Sequence, residues 1–268
     1  MAIRNEAIAI TVDGQRLAGT LVAPAAALPG MLFLQGWNSG QEQYLARARE
    51  IAALGCVCLT FEPRGVARDD PQGGTVTRED NLRDVLAAHD RLASQPGVDQ
   101  AVIGVVGSSY GAYLAAILSS LRPVRWLALR APALYKDADW AVPKQQLDRG
   151  ELAAYRRSHV AAQDNRALRA CAAFKGDVLV VESAHDDTVP HPAIASYLAA
   201  FENAHSLTHR VIAGADHGLS EEPWQQAYTS LLVTWATEMV IGAREGGTAP
   251  GAHTQLAPSP QRGPPTPA

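Results

Sequence analysis

Between Gly104 and Leu114 the chain reads GVVGSSYGAYL, two adjacent serines held between glycines directly after the apolar run AVIGVV. The run suits a buried strand. After the serines, Tyr110, Leu114, Ile117, Leu118 and Leu121 recur at helical spacing, so the serines fall on a turn from strand to helix. Centred on Ser109, the glycines at 107 and 111 complete the pattern G-x-S-x-G; centred on Ser108, it needs glycines where Val106 and Tyr110 stand. A tight strand-to-helix turn takes small residues on both flanks. Ser109 is therefore the candidate nucleophile, and the plainer alternative is a serine that caps the following helix.

Outward from this turn, strands and helices alternate. Ala7 to Val12 and Arg16 to Val22 are β-like and joined by Asp13-Gly14, a hairpin signal. Met31 to Leu34 is a short apolar strand. Tyr44, Ala48, Ile51 and Ala52 form a helix face ended by Gly55, and Cys56 to Phe61 is the next strand. Thr77 and Asp80 mark a capped helix with Leu82, Val85, Leu86 and Leu92 inward. Beyond the central turn come the strand Val124 to Leu129, then Asp177 to Val181, a helix over Ile194 to Phe201, a strand over Leu207 to Ile212, and a long helix opened by Ser220-Glu221-Glu222-Pro223. In that last helix Trp224, Tyr228, Leu231, Leu232, Trp235 and Met239 share a face. Residues 133–163, rich in charge and containing Trp140 and Pro143, break the rhythm as a short cap-like insertion of one or two helices. The pattern predicts one α/β domain over residues 1–245, a mostly parallel sheet covered by helices on both faces, with its active site beyond the carboxyl ends of the strands. The stretch 246–268, rich in Pro and Gly, reads as a disordered tail.

With 268 residues, of which 47% are hydrophobic, the chain has the composition of a globular protein, and its net charge of -4 leaves no basic footprint. Nucleic acid and anionic membrane are thus not expected as partners; a small molecule is. No charged start followed by an apolar stretch appears at the N-terminus, and nowhere do about 18 apolar residues run together. A cytoplasmic protein is the expectation. Cys56 and Cys58 lie in a strand-like run, and without two further soft ligands they read as buried core rather than metal ligands.

A serine hydroxyl needs a base at neutral pH, and the base needs an orienting group. On a parallel sheet both come from the ends of later strands. The strand VLVVES runs into Ala184-His185-Asp186-Asp187-Thr188-Val189-Pro190, and the strand ending at Ile212 runs into Ala213-Gly214-Ala215-Asp216-His217. His185 and His191 flank the acid pair without evident ligand geometry, which favours surface or supporting roles over a metal. The order Ser109, acid, His217, with D-x-x-V-P after the acid strand and G-x-D-H around the base, resembles the α/β-hydrolase superfamily over about residues 5–242. The resemblance is to its serine esterase, dienelactone hydrolase-like or prolyl-peptidase-like branch. It implies an α/β-hydrolase fold with an N-terminal antiparallel hairpin, and a triad of Ser109, Asp186 and His217, with Asp187 as the alternative acid. It also implies an oxyanion hole formed by the backbone N–H groups of Tyr110 and Trp37. Gln35-Gly36 stands where relatives often have His-Gly, and Glu62-Pro63-Arg64-Gly65-Val66-Ala67 departs from Asp-x-Arg-Gly-x-Gly at Glu62 and Ala67.

The expectation is a serine hydrolase of small to medium carboxylic esters, acting through an acyl-enzyme on Ser109 with no cofactor or metal. Tyr135 and Trp140 in the insertion are candidate pocket residues. The alternatives are an amide or peptide hydrolase of the prolyl-peptidase type, whose members typically add an N-terminal propeller, an acyltransferase, and a non-catalytic binding protein. Oligomeric state is not readable from the sequence.

Overall fold

Asp13 and Gly14 both take positive φ, 51° and 77°, the hand that a two-residue hairpin turn requires. They fold β1 (Ile3–Val12) back on β2 (Gln15–Pro24) in the computed structural model, which describes residues 3–24 and 29–246. The remaining strands are β3 (Pro29–Leu34), β4 (Val57–Phe61), β5 (Asp99–Ser108), β6 (Trp126–Arg130), β7 (Asp177–Ser183) and β8 (Ser206–Ile212). Together they form one eight-stranded sheet in the order β1-β2-β4-β3-β5-β6-β7-β8. β2 pairs antiparallel with β4, and every pairing from β4 to β8 is parallel. This is the expected α/β-hydrolase architecture with its antiparallel entry.

The helices divide between the two faces as the apolar strands demand. On one face α1 (Glu42–Ala53) and α7 (Glu222–Gly246) pack Ala48, Ile51, Tyr228, Leu232 and Trp235 against Met31, Phe33 and Leu179. On the other lie α2 (Arg78–Ala93), α3 (Tyr110–Leu118), α5 (Arg166–Ala173) and α6 (His191–Ala200), over Leu32, Leu59, Val105 and Val180. β3, β4 and β6 are buried at every residue, which explains why they read as unbroken apolar runs. Cys56 and Cys58 are buried in the core. α2 begins with a full capping box: the Asp80 N–H donates to Thr77 Oγ1 and the Thr77 N–H to the Asp80 carboxylate.

Several expectations shift in detail. Leu121 lies past the end of α3 and is 47% exposed, so the inward face of that helix stops at Leu118. The insertion holds one α-helix, α4 (Arg149–Arg156), among three single 3-10 turns. α5 was not expected at all; Asn165 caps it by accepting from the N–H groups of Ala167 and Leu168. Among the described residues no helix is long and apolar enough to cross a membrane. The expected tail lies outside the described residues except for Gly246, where α7 ends.

Candidate active site

β5 delivers its last residue, Ser108, to the edge of the sheet, and Ser109 turns the chain with φ 51° and ψ -110° before α3 starts at Tyr110. A non-glycine residue in that region carries strain of roughly 1–3 kcal/mol, held in place by its surroundings. The surroundings are backbone. The Ser109 N–H donates to the Arg130 carbonyl at 2.8 Å, and the Ser109 carbonyl accepts from Tyr113 and Ala133, each at 3.2 Å. A Cβ on Gly107 would lie 2.6 Å from the Ala112 Cα, and one on Gly111 would lie 2.2 Å from the Leu34 carbonyl oxygen. The two glycines of the motif are therefore required by close approach, Gly107 to the following helix and Gly111 to the end of β3.

Asp186 and His217 leave the ends of β7 and β8, as the sheet order requires. The two loops are laced together: the Ala184 N–H donates to the Ile212 carbonyl at 3.1 Å, and the His185 N–H to the Ala215 carbonyl at 2.8 Å. Asp186 Oδ2 lies 2.7 Å from His217 Nδ1, and His217 Nε2 lies 2.9 Å from Ser109 Oγ. The other carboxylate oxygen, Oδ1, accepts from the N–H groups of Thr188 (2.9 Å) and Val189 (2.7 Å). The Asp186 side chain is 2% exposed and that of His217 24%. A buried acid held by two amides behind a half-open imidazole is suited to orienting a base and stabilising its cation. Asp187, the alternative acid, is exposed and makes no hydrogen bond or ion pair among the described residues.

Tyr110 is the first residue of α3, so its N–H has no intrahelical acceptor and stands free beside Ser109. The loop carrying Trp37 is braced by contacts that the sequence reading did not include. The Gly36 N–H donates to the Tyr44 hydroxyl at 2.9 Å, Ser39 Oγ donates to the Gly36 carbonyl at 2.6 Å, and the Asn38 N–H donates to the Val66 carbonyl at 2.8 Å. Gln35 contributes none of this bracing: its buried amide has no hydrogen-bond partner among the described residues. The loop thus gains support from α1 and from the segment after β4 in place of the histidine common in relatives. The Tyr110 ring is anchored too, its hydroxyl donating to Asn81 Oδ1 at 2.7 Å.

Ser109 and His217 open into a cleft of about 440 Å³, walled by Trp37, Asn38, Tyr44, Arg68 and Arg130. Tyr135 and Trp140 are not among its lining residues. Tyr135 is 1% exposed and packs edge-on against Tyr110 and Tyr113, while Trp140 lies half-buried beneath the Arg166 guanidinium, 3.8 Å from its ring centroid. The insertion instead approaches through Lys144, whose Nζ sits 4.2 Å from the Trp37 ring centroid. Arg156 on α4 pins the insertion down, donating to the carbonyls of Leu134 and Thr188, each at 3.1 Å. His191 and His209 both face Glu182, at 2.8 and 3.1 Å, and His185 is exposed.

Burial, with Arg156, Arg78 and Arg149 nearby, lowers Lys144 from 10.5 to about 7. Below about pH 7 the folded chain therefore carries a charged amine at a cost the unfolded chain does not bear. As pH rises from there towards 10.5, the folded amine is neutral and the cost falls away. Lys144→Met is expected to stabilise the fold at pH 6 by on the order of 1 kcal/mol net of the lost cation–π contact, with the gain fading as pH rises. Thermal unfolding across pH checks this; a gain that grows with pH would refute it.

The sequence model of the prolyl oligopeptidase family matches residues 48–242. A thiohydrolase of Aspergillus aculeatus, aneE, is 31% identical over 102 residues, which make up 37% of this chain and 32% of that protein, so the match spans about a third of the relative. Among solved structures, a dienelactone hydrolase from Anabaena variabilis superposes with a TM-score of 0.62 at 18% identity, covering 88% of this chain and 98% of that one. A fungal esterase from Rhizomucor miehei does so with a TM-score of 0.64 at 17% identity, covering 90% and 85%. At these identities the structural likeness speaks for the fold alone.

Proposed function

The chain belongs to the prolyl oligopeptidase family; from that premise we propose that it is a serine hydrolase of the α/β type that cleaves carboxylic esters of small to medium size through an acyl-enzyme on Ser109. The observation that carries the reading is the unbroken line from Asp186 through His217 to Ser109, with contacts of 2.7 and 2.9 Å at the mouth of one cleft. His217 Nε2 takes the proton of Ser109 Oγ as the oxygen attacks the acyl carbonyl, and Asp186 stabilises the imidazolium. The amides of Tyr110 and Trp37 receive the developing oxyanion, each such donor being worth about 3–4 kcal/mol. His217 then returns the proton to the departing alcohol. Water, activated by the same nitrogen, releases the acid. Every group this sequence needs belongs to the chain, so no cofactor or metal enters it.

The cleft volume of about 440 Å³ supports substrates of modest size. The thiohydrolase relative supports a second reading, thioester cleavage, which the same groups perform with a thiolate leaving. Turnover of p-nitrophenyl butyrate, of the matching acyl thioester and of an aminoacyl anilide by one purified preparation separates these readings. The expected order is oxygen ester and thioester well ahead of anilide, and an anilide cleaved fastest would replace the ester reading with a peptidase one. Product analysis with added alcohol detects acyl transfer. Failure of a fluorophosphonate probe to label the chain would favour a non-catalytic binding role.

A further inference from the structure

Arg130 ends β6, the strand beside the one that ends in the serine turn, and its side chain lines the cleft shared by Ser109 and His217. It is only 7% exposed. Its one side-chain hydrogen bond runs from Nε to Ser108 Oγ at 3.4 Å, at the long end of the range. Nη1 is buried with no hydrogen-bond partner among the described residues. Arg64, Arg83, Arg122, Arg166 and Arg169 all have carboxylates within ion-pair distance, and Arg130 has none among the described residues. The Tyr228 ring lies 6.0 Å from the guanidinium carbon.

The surroundings make this harder to explain as scaffolding. Arg47 stands over the same Tyr228 ring at 4.8 Å, is itself 5% exposed, and among the described residues its side chain bonds only to the neutral Thr229 hydroxyl and the Gln43 carbonyl. Burial, and to a lesser degree Arg130, lowers its pKa. Two buried cations thus both stand over the Tyr228 ring, and neither has a carboxylate within ion-pair distance among the described residues. At the mouth of the cleft Arg68 adds a third positive group, and Glu42, exposed on the first turn of α1, is the only acid in the lining. A guanidinium removed from water without a counter-ion is costly, and native folds leave few buried donors unpaired. A ligand that brings its own anion removes both costs.

We propose that Arg130 is a specificity-determining residue that binds a carboxylate of the substrate, so that the ester or thioester cleaved here carries a negative charge a short chain away from the scissile carbonyl. This rests on the serine-hydrolase reading of the cleft. The guanidinium fork matches a carboxylate in a bidentate pair, which an ammonium does not reproduce. One charge-assisted pair corresponds to about a tenfold or larger preference.

The test compares p-nitrophenyl hemiglutarate with the uncharged p-nitrophenyl valerate. The native protein is expected to favour the charged ester at least about tenfold in kcat/KM, mostly through KM. In Arg130→Met the preference collapses towards one; in Arg130→Lys it is intermediate; in Arg83→Met, at a surface arginine outside the cleft, it is retained. A ratio near one in the native protein overturns the proposal, as does a ratio that survives in folded Arg130→Met. Calorimetric titration of the native protein with glutarate and with glutaramide needs neither turnover nor a variant that folds. Binding of the diacid alone supports the anion site, and equal or absent binding of both sinks it. Should Ser109→Ala leave hydrolysis untouched, the serine-hydrolase reading falls while the glutarate titration still decides on Arg130.

Discussion

Ser109→Ala is expected to lower kcat/KM for p-nitrophenyl butyrate by about 10⁴-fold or more while leaving the unfolding temperature close to that of the parent. The size follows from the arrangement. Removing Oγ takes away the hydroxyl placed 2.9 Å from His217 Nε2, and with it the acyl-enzyme route; the oxyanion donors alone retain modest catalysis. The same geometry separates the two neighbouring acids. Asp186→Asn loses the negative charge facing His217 Nδ1 and offers an amide that favours the wrong tautomer, a change expected to cost about 10⁴-fold in kcat. Asp187→Asn alters an exposed side chain and is expected to stay within about twofold. Steady-state kinetics on the three variants settles the matter. A Ser109→Ala protein as active as its parent, or an Asp187→Asn protein that loses more than Asp186→Asn, would refute the assignment.

Asp84→Ala is expected to destabilise the fold by about 3–5 kcal/mol, seen as a fall of roughly 10 °C in the unfolding midpoint. Asp84 is fully buried in α2, and burial pushes its carboxyl above the ordinary value even beside the guanidinium it serves. Its oxygens accept from Arg64 Nε at 2.8 Å and from the Arg64 N–H at 3.0 Å. Arg64 is itself 8% exposed, so removing the acid leaves a buried cation with only the longer ion-pair contact to the exposed Asp13, at 3.6 Å, which costs far more than the intact pair contributes. The loss extends towards the site. The Arg64 carbonyl accepts from Asn81, whose other amide atom accepts from Tyr110, and Val66, two residues on, accepts from Asn38 beside Trp37. Activity towards a neutral ester is therefore expected to fall alongside stability. A change in midpoint of under about 2 °C would show that the pair is dispensable.

The residues most legible in the sequence were those bound by one-dimensional rules. Glycine spacing singles out Ser109 because the tight turn leaves no room for side chains, and strand order leads to the loops that carry Asp186, Asp187 and His217 because each follows a strand in a parallel sheet; the preference for Asp186 comes from the resemblance. The hairpin, the capped α2 and the apolar strands were readable for the same reason: turn chemistry, capping and periodicity are local. What stayed hidden depends on contacts distant in sequence. Tyr44 reads only as a helix-face residue, and nothing local says that its hydroxyl receives the Gly36 N–H. Arg64 was readable as a motif residue, yet its partner Asp84, 20 positions away, is a matter of how α2 packs. α5 escapes the sequence reading because it is only eight residues long and follows a charged stretch, although Ala167, Leu168, Ala170 and Cys171 line one buried face; Asn165 is a further local signal, as an N-cap. Tyr135 and Trp140 are pocket candidates as large apolar residues of the insertion, a position that does not say whether a ring faces a cleft or a core.

The lacing of the loops after β7 and β8 makes the acid and the base a single exchangeable part. Asp186 and His217 stand 31 positions apart, with α6 and β8 between them, but the His185 and Ala215 backbones clasp just beside both. The connection between α6 and β8 lies at the opposite end of the sheet from that clasp, so a change in its length falls away from the two side chains. A graft that carries both loops together onto another parallel sheet moves the relay whole, whereas one that carries either alone leaves its edge unsewn.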